Sequence, residues 1–343
     1  MADPRSSFVI RHSSLTIGVD IGGTTVKLGV IDAVSGRVAA ESSFPTPQTG
    51  SHNVASAIAE QACEIKSAYP EIDRLGVGTP GSMNRDRSLV CYPPNLLGWK
   101  EEPLQAYLKE LLPEFNRIEV DNDANVAALA ESRHGAGRGL SHFLLVTLGT
   151  GIGGAIYYTP PPMERSGIGG GWGVVPRGEI YRGQSGGAGE FGHTSIDLNG
   201  PPCNCGSRGC IEAYLGQHYL SERTRKKMMD NPSISSVLRA EKNELTPKII
   251  ADTMNAGDAF ARSVFEEAGM LLGAALANVA NLLDMHVFIL GGGVAEAGTV
   301  LFDSTLATLR SRVLANLRPI VEIRKAHLGN RAGIVGAAML VAD

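Results

Sequence analysis

The chain has 343 residues, 43% of them hydrophobic and 19% charged, with a formal net charge of −4 and a mean hydropathy of zero. At about 150 residues per domain that length predicts about two domains, and a slightly acidic chain with no extended Lys/Arg run lacks the basic stripe of a nucleic-acid groove. The most apolar segment, 271–290, is interrupted by Asn278, Asn281, Asp284 and His286, which excludes a membrane-spanning helix there, and the start of the chain has no signal-peptide core. A cytoplasmic protein is therefore expected, with no nucleic-acid or membrane partner.

Residues 1–13 are expected to be a disordered leader. An apolar run at 15–20 ends in Ile21-Gly22-Gly23-Thr24-Thr25 and is followed by a second run at 26–31 and a third strand at 37–44. Residues 53–69 have helical spacing, 74–78 read as a buried strand ending at Thr79-Pro80-Gly81, and 101–112 read as a helix. A short strand at 117–121 leads into a helix over 123–134. Strand, glycine turn and strand return at 143–158 in the arrangement of 15–32, and a third strand, 286–290, ends in Gly291-Gly292-Gly293. One glycine turn is common in hairpins; three at strand ends are what backbone amides cradling phosphates would require. Pro and Gly crowd 160–189, which reads as a surface loop or short hairpin. Residues 217–257 are polar and helical, 258–284 form one long helix, and 299–314, 319–324 and 332–342 read as helix, strand and closing helix. The alternation predicts an α/β layered fold.

Glycine is 42 of 343 residues, about 12% against a usual ~7%, and it clusters at these turns. Three of the five cysteines, Cys203, Cys205 and Cys210, fall within eight residues, a spacing that reads as metal before disulfide. Cys63 and Cys91 stand alone and are expected to be small buried hydrophobes.

With these elements placed, the sequence resembles the ROK family of sugar kinases and repressors, within the actin-like ATPase superfamily. The resemblance runs from about 15 to 340 and rests on DIGGTTVK (20–27), TPG (79–81), DNDAN (121–125), LGTGIGGA (148–155), AGEFGH (188–193), CNCGSRGCIEAY (203–214), LGGGV (290–294) and LGNRAGIVGAA (328–338). It implies a two-domain actin-like (ribonuclease H-like) α/β fold with the active site in the interdomain cleft. Residues 1–121 with 328–343 would form a small N-terminal domain, and 122–327 a larger one carrying the zinc motif.

The resemblance also implies ATP and Mg²⁺ as cofactors and a small-molecule sugar as substrate. Asp20, Gly22, Gly23, Thr24, Thr25, Thr150, Gly151, Gly291, Gly292 and Gly293 are the expected nucleotide side, with the Asp20 carboxylate orienting hydrated Mg²⁺. Asp123 stands where a helix N-cap is favoured; in the family arrangement it is the general base that takes the proton of the attacking sugar hydroxyl. Gly81, Asn122, Asp123, Glu190, His193 and Glu212 are the expected sugar contacts. His193, Cys203, Cys205 and Cys210, spaced H-x9-C-x-C-x4-C, supply one imidazole and three thiolates, a closed structural Zn²⁺ set that would bring Glu190 and Glu212 together.

The motif GHTSIDLNGPPCNCGSRGCIEAY looks closest to the glucokinase branch, implying transfer to the 6-hydroxyl of glucose, with N-acetylmannosamine, N-acetylglucosamine, fructose or mannose as alternatives. Only 14 residues precede the first strand, too few for the winged helix of the family's repressors. Polyphosphate is an alternative phosphoryl donor, and a homodimer or homotetramer is expected. Two features depart from the family: the segment 160–189 is longer than usual, and Arg331 stands where a small or acidic residue is common, a change for which there is no physical account. Sugar binding is expected to close the cleft, with 160–189 and its Trp172 moving with the sugar-binding wall or covering it.

Overall fold

The computed structural model describes residues 14–160 and 178–342. The leader and the greater part of the 160–189 insertion, with Trp172, lie outside the described residues. The chain divides into two compact units, Met1–Asp123 with Gly333–Asp343, and Ala124–Ala332.

In the first unit, β1 (Leu15–Ile21), β2 (Thr25–Asp32) and β3 (Val38–Pro45) form an antiparallel meander. Helix α1 (Ser51–Ala68) leads to β4 (Arg74–Thr79). Three two-residue strands, β5 (Ser82–Met83), β6 (Val90–Cys91) and β7 (Glu101–Glu102), make a small separate sheet. Helix α2 (Leu104–Leu111) then precedes β8 (Arg117–Asn122). The main sheet runs β3-β2-β1-β4-β8, with β4 and β8 parallel to their neighbours. Residues 16–19 of β1 are all buried, without polar alternation, as in a strand covered on both faces.

The second unit takes α3 (Asp123–His134) from its second residue onward and continues through β9 (His142–Leu148), β10 (Ile152–Tyr158) and β11 (Glu179–Ile180). Next come α4 (Glu212–Leu215), α5 (Gln217–Asp230), α6 (Pro247–Asn255) and α7 (Ala259–Leu283). Strand β12 (Val287–Gly291), α8 (Thr299–Arg312) and β13 (Glu322–Lys325) complete it. Its sheet runs β11-β10-β9-β12-β13, the same sequence of antiparallel and parallel pairings as the first. The internal echo of strand, glycine turn and strand is thus an echo of whole sheets.

Capping explains several boundaries. The Asp258 carboxylate accepts from the Ala261 amide at 2.8 Å to start α7, and Thr246 accepts from Ile249, with Pro247 at the first position of α6. Helix α2 begins at Leu104 rather than at 101 because Pro103 disfavours helical backbone in the residue before it, leaving Glu101–Glu102 extended. The polar stretch 217–257 is not one helix: α5 and α6 are separated by a 3₁₀ turn at Val237–Ala240.

The closing helix α9 (Ala332–Met339) lies directly on the first sheet. A Cβ at Gly18 of β1 would sit 1.8 Å from the Ile334 carbonyl oxygen, and one at Gly76 of β4 1.8 Å from that of Ala337. The expectation of two buried lone cysteines is corrected: Cys63 is exposed and Cys91 half-buried. Cys63 lies one residue past the apolar stripe of α1 (Val54, Ala55, Ile58, Ala59, Ala62), so it turns about 100° away from the core, its sulfur 3.6 Å from Glu114 Oε1. No helix among the described residues is long and apolar enough to cross a membrane.

Candidate active site

The first glycine turn joins β1 to β2. The Gly22 amide donates to the Thr25 carbonyl at 2.9 Å, so it closes the turn rather than facing a ligand. Thr46 Oγ1 donates to the Gly22 carbonyl at 2.6 Å, and Asn95, at φ 66°, packs so closely on Gly23 that a Cβ there would meet its side chain at 2.9 Å. Asp20 pairs across the strands with Lys27 and is half-buried. Burial pushes its carboxyl above the usual range, and Lys27 pulls it back down. A half-buried carboxylate near a strand end beside a glycine turn has the donor chemistry that suits a hydrated divalent cation.

Asn122 closes β8 and Asp123 opens α3, solvent-exposed. Asn122 Nδ2 donates to the Gly81 carbonyl at 3.0 Å, which ties the end of β8 to the TPG turn, where Gly81 has φ 96°. Asp121 is fully buried and accepts the Asn122 amide at 2.8 Å, with Arg87 reaching it at 3.9 Å and Glu119 at 3.1 Å.

The second glycine turn, between β9 and β10, closes in the same manner, the Gly149 amide donating to the Gly151 carbonyl at 2.9 Å; Thr150 at its tip is exposed. Backbone from 189–192 lies flat on β10: a Cβ at Gly192 would come within 2.1 Å of the Ile152 carbonyl, and one at Gly154 within 2.4 Å of that of Gly189. This contact places Glu190 and the 3₁₀ turn Phe191–His193 beside the strand.

His193, Cys203, Cys205 and Cys210 converge, their donor atoms all within 4.8 Å of one another. His193 Nδ1 is 3.7 Å from Cys203 Sγ, and Cys205 Sγ is 3.7 Å from Cys210 Sγ. A tetrahedral site with bonds of about 2.3 Å has edges of about 3.8 Å, so these separations fit zinc. The turn that brings them together is tight: the Cys203 amide donates to the Ser207 carbonyl, and Gly206 and Gly209 take φ of 88° and 67°. Burial raises the Cys203 and Cys210 thiols, whereas the Ser207 amide lowers that of Cys205.

Glu190 is solvent-accessible, yet the protein mass on its inner side pushes its carboxyl up; His193 lowers it and the charge of Glu212 raises it further. Glu212 opens α4, and its Oε2 accepts the Ile152 amide at 2.8 Å. Sequence reasoning missed this bond: Glu212 also holds the second glycine turn, and a Cβ on Gly151 would meet the same oxygen at 2.5 Å.

The third turn follows β12. Gly292, at φ 88°, approaches the Leu148 carbonyl so closely that a Cβ would meet it at 2.4 Å, whereas Gly293 faces open space. A pocket adjoins this turn, lined by Gly291, Gly292, Glu131, Glu296, Lys325 and Gly329 among others.

Two like sheets, each led by a glycine hairpin, together with a third glycine turn, define the two-domain α/β fold of the actin-like ATPases. The sequence profile of the ROK family matches residues 16–161 and 165–343, and the chain belongs to that family. A glucokinase of Halalkalibacterium halodurans is 34% identical over 334 residues, 95% of this chain and 94% of that protein. The crystal structure of a ROK family glucokinase from Streptomyces griseus, in complex with glucose and AMPPNP, superposes with a TM-score of 0.76 at 33% identity, covering 95% of this chain and 99% of that one. The xylose repressor of Bacillus subtilis is 29% identical over 273 residues, 78% of this chain and 61% of that protein.

Proposed function

We propose that the protein is an ATP-dependent hexokinase, a glucokinase that transfers the γ-phosphoryl group of ATP to the 6-hydroxyl of glucose. The observation that carries this reading is Asp123, an exposed carboxylate at the start of α3, beside an Asn122 fixed on the Gly81 carbonyl. The hydroxyl gives its proton to the Asp123 carboxylate as its oxygen bonds to the γ-phosphorus; the bond from that phosphorus to the bridging oxygen breaks, and ADP leaves. Gly81, Asn122, Glu190, His193 and Glu212 accept or donate to the sugar hydroxyls and fix which of them meets Asp123.

Asp20 would hold Mg²⁺, which when bound neutralises charge on the phosphates. Gly22, Gly23, Thr24, Thr25, Thr150 and Gly151 flank the phosphates, and Gly291, Gly292 and Gly293 the nucleoside. His193, Cys203, Cys205 and Cys210 would hold a structural zinc whose closed ligand set leaves no position for chemistry. That glucokinases stand among the relatives supports glucose as the substrate here over N-acetylmannosamine, N-acetylglucosamine, fructose or mannose.

The test is a panel of these sugars with MgATP, and with polyphosphate as alternative donor. Glucose with MgATP is expected to give the highest kcat/KM. Asp123→Asn is expected to keep sugar binding while lowering kcat by about 10²–10⁴. Turnover near wild type in that variant would overturn the role given to Asp123, and transfer to none of the sugars would overturn the kinase reading in favour of a sugar-responsive regulator.

A further inference from the structure

Glu131 has no part in the chemistry above, yet it is a fully buried carboxylate in the second unit. It sits on the inward face of α3, one turn after Ala127 and Ala128. Among the described residues, every hydrogen-bond partner of its carboxylate is a backbone donor. Oε2 accepts the Ala136 amide at 2.7 Å, just beyond the end of its own helix. Oε1 accepts the His327 amide at 2.9 Å and the Leu328 amide at 2.9 Å, and Oε2 shares the His327 amide at 3.2 Å.

These last amides lie 196 and 197 positions along the chain, in the connection between β13 and α9. Their neighbours Ala326 and Gly329 line the cavity beside Gly291 and Gly292, as does Glu131 itself. Arg324 reinforces the junction, its Nη1 donating to the Ala136 carbonyl at 3.0 Å. Three N–H groups facing one side chain suit a group that accepts at both oxygens. An amide in its place would turn a donor against a donor.

We propose that Glu131 is a positioning residue for nucleotide binding: by holding the 327–328 backbone it sets the wall of the cavity that receives the nucleoside of ATP. This rests on the hexokinase reading for what enters the cavity. Glu131 touches no reacting atom; it acts through the segment 326–329.

Two substitutions perturb it in different ways. Glu131→Gln keeps size and shape but sets an NH₂ against an N–H. Gly135→Ala leaves the carboxylate in place chemically but puts a Cβ within 2.0 Å of Oε2. Gly135 is not among the glycines at positive φ, so the backbone itself tolerates alanine there. In the intact protein, binding of MgATP and of glucose is measured separately by calorimetry, alongside steady-state kinetics. Each variant is expected to raise the Kd and KM for MgATP by about tenfold, because a hydrogen bond to the carboxylate is lost. Glucose Kd, and kcat at saturating ATP, are expected to stay within about threefold of wild type, the split that distinguishes altered nucleotide binding from general loosening. Unchanged MgATP affinity in both variants, or equal losses for sugar and nucleotide, would overturn the proposal while leaving the hexokinase reading intact. Failure of the wild type to bind MgATP at all would overturn that reading and this one with it.

Discussion

Asp20, the proposed Mg²⁺ ligand, is a carboxylate held at the expense of the fold. It is the penultimate residue of β1, with Lys27 opposite, and Gly333 lies so close that a Cβ there would meet Asp20 Oδ2 at 2.5 Å. Burial raises its pKa above the ordinary 3.8. A carboxyl whose folded pKa is raised leaves the folded state unpenalised below the unfolded value, and stability is lost as the pH climbs through the folded pKa. Asp20→Asn removes the ionisation. In magnesium-free buffer it is therefore expected to raise the melting temperature at pH 7, with the gain shrinking as the pH is lowered toward 3.8. The same variant is expected to lose phosphoryl transfer by more than about 100-fold, since an amide is a poor ligand for Mg²⁺. Calorimetry across that pH range decides the first point; a melting temperature at pH 7 equal to or below wild type would refute it.

Elements are held by contacts that a single methyl group would break. Helix α9 rests on β1 and β4 only because Gly18 and Gly76 have no side chain. Gly76→Ala places a carbon 1.8 Å from the Ala337 carbonyl oxygen, backbone that no rotamer change can relieve. The helix must lift from the sheet, and a loss of about 3 kcal/mol or more is expected from urea unfolding. The cysteine turn is the other such element. The proposed zinc at His193, Cys203, Cys205 and Cys210 is expected at about one ion per chain by metal analysis. Cys205→Ser is expected to lower thermal stability and glucose affinity together, because its fellow ligands His193 and Cys210 lie three and two residues from Glu190 and Glu212. Full glucose affinity in a zinc-free protein would separate the metal from the sugar site.

At the scale of the whole molecule, a net charge of −4 is expected to give the chain little electrostatic affinity for phosphate backbones. Duplex DNA is expected to migrate unretarded with the protein at micromolar concentration and physiological salt, with or without sugar. Retardation released by sugar would favour the regulator reading. Substrate linkage gives the converse test: a sugar present at 100 times its Kd stabilises the folded chain by about 2.7 kcal/mol. Glucose is expected to produce the largest rise in melting temperature across a hexose panel at equal concentration.

What the sequence by itself determined lies within short stretches of chain. Glycine hairpins at strand ends, the histidine and three cysteines spanning 193–210, and a carboxylate opening a helix at Asp123 are legible because local backbone conformation and ligand spacing leave their mark within about 20 residues. The α/β class followed from the same local alternation. Tertiary structure alone decided which faces are covered and which distant amides meet. Cys63 is exposed because α1 turns it one position off the buried stripe. Glu212 reaches the Ile152 amide across 60 residues, and Glu131 reads in sequence as an ordinary helical glutamate. The one local sign of its burial is its place on the alanine face of α3, followed by Gly135 and Gly137. Its partners stand 196 and 197 residues away, and nothing in a local pattern encodes so remote an amide; only the folding of β13 and its following turn against the end of α3 brings them together.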